Sequence, residues 1–292
     1  MEVLISFCNQ PESSKNNLLL LNIDSGKKEY LLETSDSFTG LAQDDDFFYA
    51  LSQNLEVGLV VIDQITKKVV LSHRLKNLTD PHSIIINKDY IYAVSTGNDQ
   101  ILKYKFDKKN LSVKFMEMVW RPKGSRGDKD THHVNSIFLY NNDIYISAFG
   151  SKKTDRWSSA TNGYIYNITK NKKELGKIYH PHSVFIKNGD MYFCESSSRS
   201  VKKNYSELIK LNIGYTRGLY LKDSYLLLGT SSGRKRSKST GLVNNFADSG
   251  IPEEDCRILL YKKKLFFGKY MLIKEYDFLP GHREIYDIIG LT

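Results

Sequence analysis

Short apolar runs alternate with polar turns along the whole chain, with almost no helical periodicity, which indicates β-strands. Six segments share one pattern, in which a polar residue precedes Ser, Gly or Asp and apolar residues follow. We call the Ser, Gly or Asp the landmark residue; the six are Gly40, Ser83, Ser136, Ser183, Gly218 and Asp287. After each of the first five, a polar turn leads to a second apolar run, as in HSIIINKDYIYAV from His82. Each such pair of runs predicts a β-hairpin.

The spacing of the landmark residues predicts the architecture. Successive landmarks lie 43, 53, 47, 35 and 69 residues apart, and a period near 45 with four strands per unit is typical of propeller blades. The residues after Asp287 and those before Gly40 together supply one more period. We therefore predict an all-β fold, a single six-bladed β-propeller domain over residues 1–292. An irregular β-sandwich is the alternative.

The two ends of the chain are predicted to share the sixth blade. Strands at about Val3–Cys8, Leu18–Ile23 and Glu29–Leu32 lack an inner strand, and Glu284–Leu291 is an inner strand without partners. Pairing the N-terminal strands with the C-terminal strand closes the ring and removes exposed sheet edges.

Three longer connections are expected near the faces of the ring. Residues 231–255 form a polar loop insertion in the fifth blade that should lie over one face, and long loops without their own secondary structure are usually functional or disordered. Residues 121–132 and 151–162 are further candidates for lining a mouth of the channel.

The inner strands of a propeller surround its central channel, so equivalent positions face one another across the axis. The residue before each landmark belongs to a first axial ring: Thr39, His82, Asn135, His182, Arg217 and Tyr286. Two residues earlier, on the same side of each strand, lies a second axial ring: Ser37, Asp80, His133, His180, Tyr215 and Glu284. Four of the seven histidines fall in these rings. Such a concentration of titratable side chains is what an active centre needs.

Residue chemistry assigns roles within the two rings. His82, His133 and His182 are predicted to hold a divalent metal ion, because three imidazoles leave a position for water or substrate. Arg217, Glu284 and Tyr286 are the predicted catalytic residues, since arginine clamps carboxylates or phosphates and the other two exchange protons.

Asn135, His180 and Arg234 are predicted to bind the ligand. The Gly- and Ser-rich stretch before Arg234 offers backbone N–H groups to an anion. In the structural alternative, the axial residues hold ordered water. The Pro-His-Ser repeats are then a repeat consensus whose histidines bond the backbone of a neighbouring blade.

The charge and the cysteine content narrow the choice of binding partner and of cellular compartment. The net charge of +9 is spread through turns apart from Arg234–Lys238, which favours a small anionic ligand over nucleic acid. No apolar stretch is long enough to span a bilayer, and the segment from Met1 to Cys8 lacks the basic start of a signal peptide. Three widely spaced cysteines fit no disulfide framework. We expect a cytoplasmic protein with buried thiols and no membrane partner.

The C-terminal third carries TRGLYLKDSYLLLGTSSGRKRSKS, CRILLYKK and EIYDIIGL, preceded by PHSVFIKNGDMYFCESSS. These segments resemble a bacterial β-propeller family of uncharacterised proteins, a domain of unknown function. The shared features are an Arg-Gly-Leu strand at Arg217, a Gly-x-Ser-x-x-Arg turn ending at Arg234, and a closing Glu-Ile-x-Asp strand at Glu284. The resemblance covers roughly residues 180–292. It implies an association with polysaccharide biosynthesis and no established reaction.

Taken together, these patterns predict an enzyme or enzyme-like protein that acts on a small polar, anionic, sugar-related ligand at the mouth of the axial channel. The alternative is a non-catalytic interaction scaffold, because the propeller fold does not choose between catalysis and binding. A scaffold predicts a blocked channel and an exposed apolar or charged patch on a blade.

Overall fold

The computed structural model describes residues 1–11, 13–233, 241–242, 254–264 and 268–291. Within these residues the chain forms strands and three short 3-10 helices, and none of it is α-helical. No helix in the described part is long and apolar enough to cross a bilayer. Most of the predicted insertion, including Arg234, lies outside the described residues.

The strands form six four-stranded antiparallel sheets. In chain order they are β1 Glu2–Phe7, β2 Leu18–Asn22, β3 Lys28–Tyr30, β4 Phe38–Gln43, β5 Phe47–Ser52, β6 Leu59–Asp63, β7 Val69–His73, β8 Pro81–Asn87, β9 Tyr90–Ser95, β10 Gln100–Asp107, β11 Ser112–Trp120, β12 Val134–Tyr140, β13 Asp143–Ala148, β14 Gly163–Asn167, β15 Lys172–Ile178, β16 Pro181–Lys187, β17 Asp190–Glu195, β18 Ser200–Lys203, β19 Ser206–Lys210, β20 Tyr215–Lys222, β21 Tyr225–Ser231, β22 Arg257–Lys263, β23 Tyr270–Asp277 and β24 Ile285–Gly290. Blades one to five take four consecutive strands each, starting from β4, and blade six joins β24 to β1–β3.

The closure of the ring follows the prediction. Strand β24 pairs antiparallel with β1, with Val3 opposite Gly290 and Ile5 opposite Ile288. The backbone N–H of Leu291 also donates to the carbonyl of Glu2 at 3.0 Å. The six-bladed propeller and its closure by both ends of the chain are therefore confirmed.

The apolar core lies between neighbouring blades, so inner strands are buried on both faces. In β1, Val3 and Ile5 pack in the cluster that contains Leu227 of blade five, whereas Leu4 packs with Phe38 of blade one. Successive side chains of a strand point to opposite faces. A strand covered on both faces is apolar at every position, which explains the continuous apolar runs in the sequence.

The landmark residues connect each inner strand to the next blade. Four of their side chains accept a hydrogen bond from a backbone N–H there: Ser83 from Ile137 at 3.3 Å, Ser136 from Val184 at 3.4 Å, Ser183 from Gly218 at 2.9 Å and Asp287 from Leu41 at 3.0 Å. The other two are glycines at close approaches. A Cβ atom on Gly40 would lie 2.4 Å from the Cα of Ser83. A landmark residue is therefore small or hydrogen-bonding because it forms the contact between blades.

The three cysteines agree with the expectation of packed thiols. Cys8, Cys194 and Cys256 are buried, and none forms a disulfide. Burial raises the pKa of the Cys194 thiol to about 12, so this side chain stays protonated at neutral pH.

Candidate functional site

Eight of the nine predicted site residues meet at one end of the channel; the ninth, Arg234, lies outside the described residues. We call this group the polar cluster: His82, His133, Asn135, His180, His182, Arg217, Glu284 and Tyr286. All are buried except Arg217, whose side chain is 15% exposed. The sequence analysis therefore identified a real spatial cluster from residues more than 200 positions apart.

Aromatic rings pack the histidines of the polar cluster. The His82 ring meets the His133 ring edge to face, with centroids 5.1 Å apart, and the Tyr286 ring at 5.5 Å. Phe149 stacks on His180 at 4.2 Å, and Trp157 lies 4.9 Å from His133. The predicted loop 151–162 thus reaches the site through Trp157. Phe149 was missed, because an aromatic residue at the end of a strand carries no positional signal.

His182 has a defined tautomer. Its Nδ1 lies 3.1 Å from the carbonyl oxygen of His180 and 2.8 Å from the Ser196 hydroxyl, which itself donates to the carbonyl of Thr216 at 2.6 Å. Both partners accept, so Nδ1 carries the proton. Burial and the charge of Arg217 hold the His182 pKa well below its ordinary value. The Nε2 atom is therefore a bare acceptor, and it is buried without a hydrogen-bond partner in the described structure.

Burial keeps two further histidines neutral. It lowers the pKa of His82 and of His180 to about 4. The Nδ1 of His133 lies 2.8 Å from the carboxylate of Asp130. The sequence analysis did not single out Asp130, although an acid three residues before an axial histidine is a recognisable signal for such a pair.

The positive charge of Arg217 is only partly compensated by its neighbours. Its Nη1 lies 3.8 Å from Oε2 of Glu284, and its guanidinium lies 5.4 Å from the centre of the Tyr286 ring. Its Nε is buried and has no partner among the described residues. Glu284 also accepts a hydrogen bond from the Asn9 side chain at 3.0 Å. Burial raises the Tyr286 pKa well above its ordinary value, so the phenol keeps its proton at neutral pH.

His82, His133 and His182 are the predicted metal ligands. Within the described residues, no three His, Cys, Asp or Glu side chains are arranged to hold a metal ion. The divalent metal and the catalytic roles remain predictions.

An open cavity of about 300 Å³ lies on the axis beside the polar cluster. We call it the axial pocket. Only Asn135, His182 and Tyr286 of the predicted site residues line it, and we call these three its floor. The remaining lining comes from four landmark residues, Ser83, Ser136, Ser183 and Asp287, and from the strand residues that follow the six landmarks.

The residues two positions after each landmark form the wall of the axial pocket: Ala42, Ile85, Phe138, Phe185, Tyr220 and Ile289. Blades three to five contribute an aromatic arc, in which the Phe185 ring lies 5.0 Å from Phe138 and 6.0 Å from Tyr220. Blades one, two and six contribute aliphatic side chains. The sequence analysis did not identify this wall.

Asp287 brings a carboxylate to the axial pocket. Its two oxygens accept the backbone N–H groups of Leu41 and Ile288, each at 3.0 Å, and the residue stays partly exposed. The surrounding protein raises its pKa to about 6, because burial disfavours the charged form. This carboxyl group is ionised at neutral pH and above.

Comparisons with known proteins support the propeller fold and no specific function. No family model matches the chain, and no curated protein matches it. A chain from the crystal structure of the nidogen/laminin complex is 10% identical, with a TM-score of 0.62 over 98% of this chain and 97% of that chain. A Lactobacillus plantarum protein is 13% identical, with a TM-score of 0.59 over 100% and 99%. These neighbours share the propeller fold; neither supports the expected link to polysaccharide biosynthesis.

Proposed function

We propose that this protein binds a small organic molecule in the axial pocket. The ligand places its polar end on the floor formed by Asn135, His182 and Tyr286 and its apolar body along the wall. The observation that carries the proposal is the unpartnered acceptor Nε2 of His182, a buried residue of that floor. Leaving a buried polar atom unpaired costs about 1–3 kcal/mol, so such an atom calls for an explanation such as a bound group.

The composition of the pocket supports the same proposal. Small-molecule sites are concave and mostly apolar, with a few polar groups that orient the ligand. The wall is apolar, the floor is polar, and the volume of about 300 Å³ falls at the lower end of such sites. Arg217 and Glu284 do not belong to the lining, which favours binding over turnover at this position.

An interaction scaffold is the second candidate. Three consecutive apolar residues of the outer strand β23, Met271, Leu272 and Ile273, are 43%, 42% and 49% exposed. Such a patch is what the scaffold hypothesis predicts, and one structural neighbour was crystallised in a complex of nidogen with laminin. The open axial pocket is what that hypothesis does not predict.

Calorimetry with three probes of one shape tests the binding proposal: 3-phenylpropylamine, 3-phenylpropanol and 3-phenylpropanoate. We expect at least one probe to bind the wild-type protein. Ile289→Trp fills the wall of the pocket and should weaken that binding at least tenfold. Ile65→Trp is the matched control, because Ile65 is 91% exposed and lies off the lining.

Two results would contradict the proposal. One is that none of the three probes binds the wild-type protein. The other is that a probe binds equally well to the wild type and to the Ile289→Trp variant, because its site is then elsewhere.

A further inference from the structure

We infer that the axial pocket selects an organic cation, an ammonium group carried on an apolar body. This inference rests on the proposed binding function and narrows its ligand class. A cationic ligand is the opposite of the anionic ligand expected from the sequence. The chain as a whole is basic, but the pocket itself is not. Three features of the lining carry the inference.

The first feature is formal charge. Among the described residues that line the axial pocket, Asp287 is the only one with a charged side chain, and it is an acid. It holds its place through the backbone of Leu41 and Ile288, so its position is set before any ligand arrives. A carboxylate oxygen has a further lone pair for a ligand N–H group.

The second feature is the hydrogen-bonding character of the floor. The proton of His182 is committed to Ser196 and to the carbonyl of His180, which leaves Nε2 as an acceptor only. The Tyr286 hydroxyl is already donated to the carbonyl oxygen of Asn135 at 3.3 Å. A carboxylate or phosphate needs donors, whereas the unpartnered polar atom of His182 is an acceptor.

The third feature is the aromatic arc of Phe138, Phe185 and Tyr220. Aromatic faces attract cations, and rings around a pocket are a known means of holding ammonium groups. The arc contributes three neighbouring rings to the same cavity that Asp287 lines.

Arg217 is the charge that opposes a cation. It lies outside the lining, over the Tyr286 ring. Glu284, 3.8 Å from its Nη1, offsets its charge. The negative charge on the pocket side therefore belongs to Asp287, while the positive charge on the cluster side lies outside the lining and is partly offset by Glu284.

The test compares the affinities of the same three probes at pH 8, where Asp287 is ionised because its pKa is about 6. We expect 3-phenylpropylamine to bind at least tenfold more tightly than 3-phenylpropanol, and 3-phenylpropanoate to bind most weakly, since charge-assisted hydrogen bonds exceed neutral ones. Asp287→Asn should remove most of the preference of amine over alcohol. Asp128→Asn, an exposed acid outside the lining, is the matched control and should keep it.

A second variant keeps the inference testable if Asp287→Asn fails to fold. Phe185→Leu retains an apolar wall but removes one aromatic face, so amine binding should weaken about threefold more than alcohol binding. If the carboxylate binds as tightly as the amine and Ile289→Trp abolishes both, the cation inference is wrong while the binding proposal stands. If no probe binds, both fall.

Discussion

The polar cluster and the axial pocket are adjacent segments of one channel, built by the same six inner strands, yet one is filled and the other is open. Beside the cluster, the long connection between β13 and β14 brings Trp157 to the histidines, and Phe149 joins it. At the pocket end, β12, β16 and β20 turn back through two residues each, at 141–142, 188–189 and 223–224. The same inner strands line both ends of the channel. The loops that connect the strands determine which end is filled with side chains.

The two regions also differ in electrostatics. The polar cluster contains three histidines whose pKa burial lowers, His82, His180 and His182, and the pair of Arg217 with the buried Glu284. The axial pocket contains one carboxylate, Asp287, against a largely apolar wall. In the cluster, Glu284 partly offsets the charge of Arg217, whereas the pocket leaves room for a ligand to compensate the charge of Asp287.

The largest expected effect comes from a deletion that removes both regions at once. Removing residues 284–292 takes Glu284 and Tyr286 from the cluster, Asp287 and Ile289 from the pocket, and the strand that pairs with β1. An open blade exposes unpaired backbone groups. We expect the cooperative thermal transition, followed by circular dichroism, to be lost.

Adding the nine-residue peptide separately should restore part of that transition, because it supplies the missing inner strand. A truncated protein as stable as the full chain would show that the closure does not hold the ring together.

The next prediction concerns the contribution of the Arg217–Glu284 pair in the polar cluster to stability. Arg217→Met removes the cation that lies 3.8 Å from the buried Glu284 carboxylate, and breaking a buried pair costs about 3–5 kcal/mol. Because the 3.8 Å separation is long, we expect a loss at the lower end of that range, about 3 kcal/mol, in urea unfolding. The double variant Arg217→Met/Glu284→Gln should lose clearly less. Equal losses in the single and double variants would mean that the cost of Arg217→Met does not come from the charge of Glu284.

The smaller effect is a pH dependence that belongs to the pocket. The folded pKa of Asp287, about 6, exceeds its ordinary value of 3.8, so its contribution to stability is fully present below pH 4 and is lost as pH rises through 6. The loss amounts to about 2–3 kcal/mol. Asp287→Asn should flatten this part of the curve of unfolding free energy against pH.

Ser183→Ala is the control for that measurement. It removes the hydrogen bond from the Gly218 N–H without changing charge, so it should cost about 1 kcal/mol at every pH. His182, Tyr220 and Tyr286 line the same pocket but stay neutral from pH 5 to 8, because burial lowers the pKa of the histidine and raises those of the tyrosines. An unchanged slope in Asp287→Asn would assign the pH dependence to other groups.

The fold was predictable because each landmark residue carries a structural requirement. Ser83 and Ser183 must bond the next blade, and Gly40 must let it approach, so the same small residues recur at a period that can be counted. The polar cluster was predictable for the same reason, since axial positions lie at a constant offset from the landmarks.

The pocket was not predictable from strict alternation along a strand. A register shift interrupts every inner strand near its landmark, as between His182 and Phe185 in β16. Such a bulge changes the phase of the side chains, so His182 and Phe185, three positions apart, line one cavity. Counting in twos from the axial histidines misses the wall.

The sequence by itself determined the number of blades, the closure through β24 and β1, and the residues that gather at the axis, because these follow from local patterns repeated along the chain. Only the tertiary structure decided which axial positions are filled, which nitrogen of His182 carries the proton, and which charge faces the pocket. Those properties depend on contacts between blades, such as the one from Ser196 to Thr216. No single repeat encodes such contacts.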